Sequence, residues 1–189
     1  PDPLFKAAPF RRSVKEPFDA DRPVTDAAID AVRRAAGTPF SATVDAAEID
    51  RLNAVAWDAW NIEAETPRTH KESVDLMRIG KAEINANPDG IDLGGAFLEA
   101  LSVAGLLTRE TLADPTSTAS TSGRDLYEAM IFSAGGFVWT DSAENSRLAQ
   151  LDAGRAWLRI NLAATATGLS IHPLSQCLQE FPEMAPQFE

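Results

Sequence analysis

The stretch AGRAWLRINLAATATGLSIHP, residues 153 to 173, decides the fold. It is the second half of the longest helical pattern in the chain. That pattern starts at Ser142 and puts Leu148, Leu151, Leu158, Leu162 and Thr165 on one side, with Ala149, Ala153, Gly154, Ala156, Ala163, Ala164 and Ala166 filling much of the rest. Small side chains on several sides admit close neighbours, so this helix is expected at the centre of the molecule. Gly168 closes it, because glycine can leave a helix with positive φ, and LSIHP (169–173) returns extended. Pro173 then stiffens a turn whose N–H groups at Leu174, Ser175 and Gln176 have no evident strand partner. Free amides in a stiff turn can hydrogen-bond a planar heterocycle.

Working outward, Thr25 caps a helix whose apolar positions Ala28, Ile29, Val32 and Ala36 follow the helical period, with Gly37 as its stop. PFSATV (39–44) reads as a short extended piece. Asp45 with Glu48 resembles a capping box, and Ile49, Leu52, Ala56, Ala59 and Trp60 mark one face of a second helix that ends before Pro67. A third helix is expected from Pro67 to Gly80, carrying Val74, Leu76 and Met77. NPDG (87–90) is a turn, and Phe97, Leu98, Leu101 and Ala104 before Gly105 suggest a short fourth helix. The polar run DPTSTASTSG (114–123) cannot bury apolar surface and is expected to be a mobile loop. DLYEAMIFSA reads as helix, GGFVWTDS as a buried strand ending in a turn, and SQCLQEF as the start of another short helix. No internal repeat is evident. Helix dominates with a few short strands, an α+β class, organised as a single domain over 1–189.

At the amino end, PFRRSVKEPF (9–18) crowds Arg11, Arg12 and Lys15 around Ser13 between two prolines, in a chain of net charge −11. Proline pushes the residue before it, here Ala8 and Glu16, towards extended backbone. Side chains then alternate, so Arg11, Ser13 and Lys15 share one face while Arg12 and Val14 take the other. Two cations flanking a hydroxyl suit an anion, and the prolines lower the ordering cost of a bound state.

Composition narrows the function. A pI near 4.6 argues against a general binder of nucleic acid or anionic membranes, which needs a broad cationic surface. Any anion site is therefore local. One cysteine, Cys177, excludes an internal disulfide framework and a cysteine-rich zinc site, and reads as apolar filler. No run approaches the roughly 20 apolar residues of a spanning helix. His70 and His172 stand in no metal-ligand spacing, so no metal is expected. G-x-S-x-G, P-loop and G-x-G-x-x-G patterns are absent, and the carboxylates are scattered, so no side chain is assigned a catalytic role. Trp57, Trp60, Trp139 and Trp157 read as core or interface.

The order of these two constellations resembles flavin-dependent nitroreductases. RRSVKEPFDADRPV (11–24) resembles the opening of that family, whose R-x-S-x-K/R strip meets the phosphate and ribityl chain of FMN. AGRAWLRINLAATATGLSIHPLSQCLQEFPEM (153–184) is similar to its long helix and following turn, whose amides approach the N5 and O4 edge of the flavin. The likeness is greatest to the C-terminal half of the double-length, Acg-like branch, in which one chain mimics the usual dimer and some members carry a twin-arginine export signal. The resemblance implies a nitroreductase-like fold, helix-rich with a small, mainly antiparallel sheet around the long helix. It implies that Arg11, Ser13 and Lys15, with Arg12 secondary, hold the phosphate and ribityl groups of FMN, and that Pro173, Leu174, Ser175 and Gln176 line the isoalloxazine. Lys15 is the expected cation near the electron-rich end of the reduced ring.

The implied activity is hydride transfer from NAD(P)H to flavin and on to an acceptor; the alternatives are an FMN-sequestering protein, with 114–123 or the segment around 80–110 as a lid, and a flavin-less structural half. The family's P-S-x-x-N contact is missing where this chain reads AAGTPFSATVD (35–45), and so is a terminal strand with a phosphate-site arginine. Because those two elements are missing, the chain is expected to hold half a pocket, and because it starts PDPLF and stops within PEMAPQFE it is expected to be part of a longer protein. The expected partner is a second copy or the missing N-terminal half. Localisation would be periplasmic behind an upstream twin-arginine signal, otherwise cytoplasmic.

Overall fold

The structure, a computed structural model, describes residues 2–188. A 3-10 helix, Pro3–Phe10, comes first, followed by α1 (Asp26–Ala36), β1 (Ser41–Thr43), α2 (Ala46–Glu65) and α3 (Pro67–Leu76). Next come β2 (Met77–Ile79), α4 (Gly80–Ala86), β3 (Ile91–Leu93), α5 (Ala96–Val103) and α6 (Arg109–Ala113). Then α7 (Thr118–Phe132), β4 (Phe137–Trp139) and α8 (Arg147–Ala166) precede two further 3-10 segments, Gln176–Leu178 and Pro182–Gln187. The chain divides into two compact units, Pro1–Ala54 with Ala129–Ser175 and Val55–Glu128 with Gln176–Glu189.

In the first unit, Thr25 caps α1 by accepting the Ala28 N–H at 3.3 Å, and Gly37 ends it at φ 61°. The periodic positions Ile29, Val32 and Ala36 are buried as the spacing requires. β1 pairs antiparallel with β4, Ser41 opposite Trp139 and Thr43 opposite Phe137. The core joins Leu4 of the 3-10 helix, Val32 and Ala36 of α1, and Ile160, Ala163 and Ala164 of α8, with Phe40, Val138, Leu169 and Ile171 packed against them. Removing a side chain the size of Ile160 from water stabilises by about 1.5–3 kcal/mol.

α8 is narrower in role than its pattern suggested. Ser146, not Ser142, caps it, accepting the Ala149 N–H at 3.3 Å. Its buried residues are Ile160, Asn161, Ala163 and Ala164, all in the last two turns, whereas Leu148, Leu151 and Leu158 are 64 %, 46 % and 51 % exposed. Leu148, Leu151 and Leu158 therefore look outward, while Ile160, Ala163 and Ala164, with Leu162 beside them, anchor the helix.

The second unit corrects two expectations. The third helix stops at Leu76 instead of running to Gly80: Met77–Ile79 pairs parallel with Ile91–Leu93, and Gly80, at φ 77°, begins α4. The side chain of Glu83 accepts the Ile79 N–H at 2.7 Å and ion-pairs with Arg109, so strand and helix share one polar anchor. Val74, Leu107 and Leu112 form the apolar centre of this unit. The polar run 114–123 is largely the opening of α7. Asp114 Oδ1 accepts the Thr116 N–H at 2.9 Å, and Ser117 Oγ accepts the Ser120 N–H at 3.0 Å, so side-chain oxygens satisfy amides that a helix start leaves open.

The class is helix-rich α+β. Its strands form two separate two-stranded pairs, one antiparallel and one parallel, in place of the expected mainly antiparallel sheet.

Candidate functional site

The amino-terminal segment is fixed from both ends. Asp2 pairs with Arg159 of α8 and accepts the Leu4 N–H at 2.9 Å, and these bonds, Arg159's first, hold its carboxyl below the usual carboxylate range. Leu4 and Ala7 are buried. The 3-10 helix continues through Pro9, contrary to the expectation that Ala8 is extended: a 3-10 turn has the φ that proline already adopts, and burial of Leu4 and Ala7 secures it. The chain turns extended at Arg11, with φ −60° and ψ 130°.

At the other segment, α8 ends in a Schellman-type wrap. The Leu169 N–H donates to the Ala164 carbonyl at 2.8 Å, across Gly168 at φ 83°. The freed chain then meets the amino-terminal strip. Ser13 and Ile171 form a parallel bridge, and the Val14 N–H donates to the Ile171 carbonyl at 3.0 Å. His172 Nδ1 lies 2.5 Å from the Val14 carbonyl oxygen, so that nitrogen carries the proton and donates. The two stretches singled out from the sequence, 158 residues apart between Val14 and His172, run side by side.

Beside this bridge lies a half-open cavity of about 270 Å³, lined by Phe10, Arg12, Thr165, Gly168, Leu169 and Ser170. Arg12 Nη1 donates to the carbonyls of Pro9 at 3.1 Å and Arg11 at 2.7 Å, which folds the guanidinium back over its own turn. Among the described residues Arg12 has no carboxylate partner. Two of its five N–H groups are thus used and three remain for a ligand. Phe10, 73 % exposed, adds an aromatic face, and Thr165 and Ser170 add hydroxyls.

The predicted residues divide around this cavity. Arg12, assigned by alternation to the face opposite the anion strip, is the cation that lines it; Arg11, Ser13 and Lys15 do not. Arg11 is half-buried, and Ser13 and Lys15 are exposed. Pro173 and Ser175 are exposed and Leu174 half-buried, beyond the cavity lining, while Gln176 opens the 3-10 segment of the second unit. Sequence reasoning missed Phe10, Thr165 and Ser170. Ser170 lay within the GLSIHP stretch already singled out, whereas Thr165 was counted with the leucines on the apolar side of the helix.

The histidines are accounted for by backbone partners, His172 as above and His70 through Nε2 to the Leu112 carbonyl at 3.1 Å. Among the described residues no group of three or more His, Cys, Asp and Glu side chains is gathered, and no helix is long and apolar enough to cross a membrane. No family model, no curated protein and no solved structure matches the chain.

Proposed function

We propose that the first unit binds FMN and that the chain is a nitroreductase-like oxidoreductase, with hydride supplied by NAD(P)H. The supporting observation is the Ser13–Ile171 bridge, which brings a cationic amino-terminal strip to the bend after α8 and flanks it with the Arg12 cavity. The phosphate end of FMN fits the donors present. Arg12 offers three uncommitted N–H groups, charge-assisted bonds that are worth about 1.5–3 kcal/mol each. Ser170 and Thr165 offer hydroxyls to a sugar-alcohol chain. A volume of about 270 Å³ is enough for that end but below the roughly 300–1,000 Å³ typical of complete small-molecule sites, so the ring would be lined outside it, by Pro173, Leu174 and Ser175 in the proposal.

When bound, FMN supplies the hydride-accepting chemistry. This chain's own residues bind and orient. Arg12 neutralises the phosphate, the Schellman-type wrap sets the path of residues 169–175, and the His172–Val14 hydrogen bond locks that path to the strip. Lys15 adds positive charge to the same segment. The nitroreductase-like fold is part of this proposal, as is association through the exposed Leu148, Leu151 and Leu158, to a second copy or to an N-terminal half.

Addition of NADPH to the FMN-loaded protein under anaerobic conditions tests the activity. Bleaching of the flavin colour supports the oxidoreductase; a bound flavin that keeps its colour points to sequestration, and a chain that takes up no flavin refutes the proposal.

A further inference from the structure

We propose that Trp57, Trp60 and Tyr127, in the second unit, form a one-electron relay that delivers an oxidising equivalent from the indoles to the tyrosine. Three ring positions carry it. Trp57 and Trp60 are three residues apart on α2 and stack with centroids 5.1 Å apart and planes 6° apart. Tyr127 of α7 stacks on Trp60 at 5.2 Å and 25°. Rings in such contact exchange electrons readily. Packing alone is satisfied by aliphatic side chains and does not need three aromatics in series, although the stack also adds about 0.5–1.5 kcal/mol per pair.

The charges at the two ends give the relay a direction. The Arg124 guanidinium sits 5.3 Å over the Trp57 ring and is paired with Glu65 at 3.4 Å. A cation on that face disfavours a positive hole on Trp57. Glu63, three residues after Trp60 on α2, accepts from Ser73 Oγ at 3.1 Å and from Gln179 Nε2 at 3.2 Å. Burial first, and the Glu63 charge second, hold the Tyr127 phenol in its protonated form. The hole is thus repelled from Trp57 and drawn to Tyr127, where loss of the proton fixes it.

A one-electron oxidising radical takes an electron from an indole; the indole radical cation takes one from Tyr127, and the phenol proton passes to solvent. The net products are the reduced oxidant, a neutral tyrosyl radical and a proton released to solvent. This relay rests on no part of the flavin proposal.

The test exploits composition, since the chain has four tryptophans and a single tyrosine. Azidyl radicals generated by pulse radiolysis oxidise tryptophan in the full chain, and transient absorption then follows indolyl and tyrosyl signals separately. The expected result is indolyl decay matched by a tyrosyl rise whose rate does not change with protein concentration. Trp60→Phe abolishes that rise, and Glu63→Gln slows it roughly 10-fold by removing the negative charge that favours the hole at Tyr127. Near-ultraviolet circular dichroism checks that each variant is folded; should Trp60→Phe fail that check, Glu63→Gln alone decides. No tyrosyl signal, a rise that scales with concentration, or a rise unchanged in the folded variant overturns the relay.

Discussion

Two N–H groups of Arg12 donate to the carbonyls of Pro9 and Arg11, and among the described residues the guanidinium has no carboxylate partner. Removing it should weaken FMN about 10- to 100-fold, equivalent to about 1.5–3 kcal/mol, measured by fluorescence titration. Arg11→Ala with Lys15→Ala should cost less, because neither side chain lines the cavity. Glycines give a sharper stability test. A Cβ at Gly90 would lie 2.2 Å from the Leu76 carbonyl oxygen, at φ 69°, where the β2–β3 pair closes. Gly90→Ala should therefore destabilise by more than about 2 kcal/mol. Gly154 has helical surroundings and nothing within 4 Å of a new Cβ, so Gly154→Ala should stabilise by about 0.5–1 kcal/mol. Urea midpoints of the two variants, moving in opposite directions, check both statements.

The elements show which sequence signals carry structural weight. Three caps were legible: Thr25, Asp45 and Gly37 act where the sequence placed them, because a cap depends on its own few residues, whereas α8 starts at Ser146 and not at Ser142. Signals that depend on distant partners were not. Nothing local in Leu76–Gly80 says that Met77–Ile79 will find Ile91–Leu93, so a helical period was read through a strand. The serine and threonine run before Arg124 was read as a loop on composition, although the same hydroxyls are good helix starters and the apolar residues that hold α7 lie later, at Met130 and Ile131. At the site, the pairing of strip and bend could be anticipated from order along the chain. Which face of the strip lines the cavity could not, since the 3-10 turn through Pro9 sets the phase of the side chains that follow. For α8, Ile160→Ala should cost about 2–5 kcal/mol, while Leu151→Ala, at a half-exposed position, should cost under about 1 kcal/mol. A costly Leu151 variant in a monomeric sample would show that the stripe is packed intramolecularly.

For the molecule as a whole, pH dependence follows from carboxylates held below their ordinary range. Glu83 is held there by the Ile79 N–H first and by Arg109 next, and Asp114 by Thr116. A depressed carboxyl contributes stability that is present above its unfolded pKa, near 4, and is lost as pH falls through the lower folded value. The urea midpoint should thus hold steady from neutral pH to about pH 5 and decline below it. Tyr127 has the opposite sign. Its raised pKa contributes stability below about pH 10 that is lost as pH rises further, and Tyr127→Phe should flatten that alkaline decline. In the FMN proposal, function at this scale depends on the amino-terminal strip and the bend after α8 acting together on one phosphorylated, flat ligand. The most direct measurement compares FMN with riboflavin, which lacks the phosphate, by fluorescence quenching on the same protein. The proposal predicts saturable FMN binding at least about 10-fold tighter than riboflavin, with the difference disappearing in Arg12→Ala. Equal affinity for the two flavins, or no saturable binding of either, would contradict it.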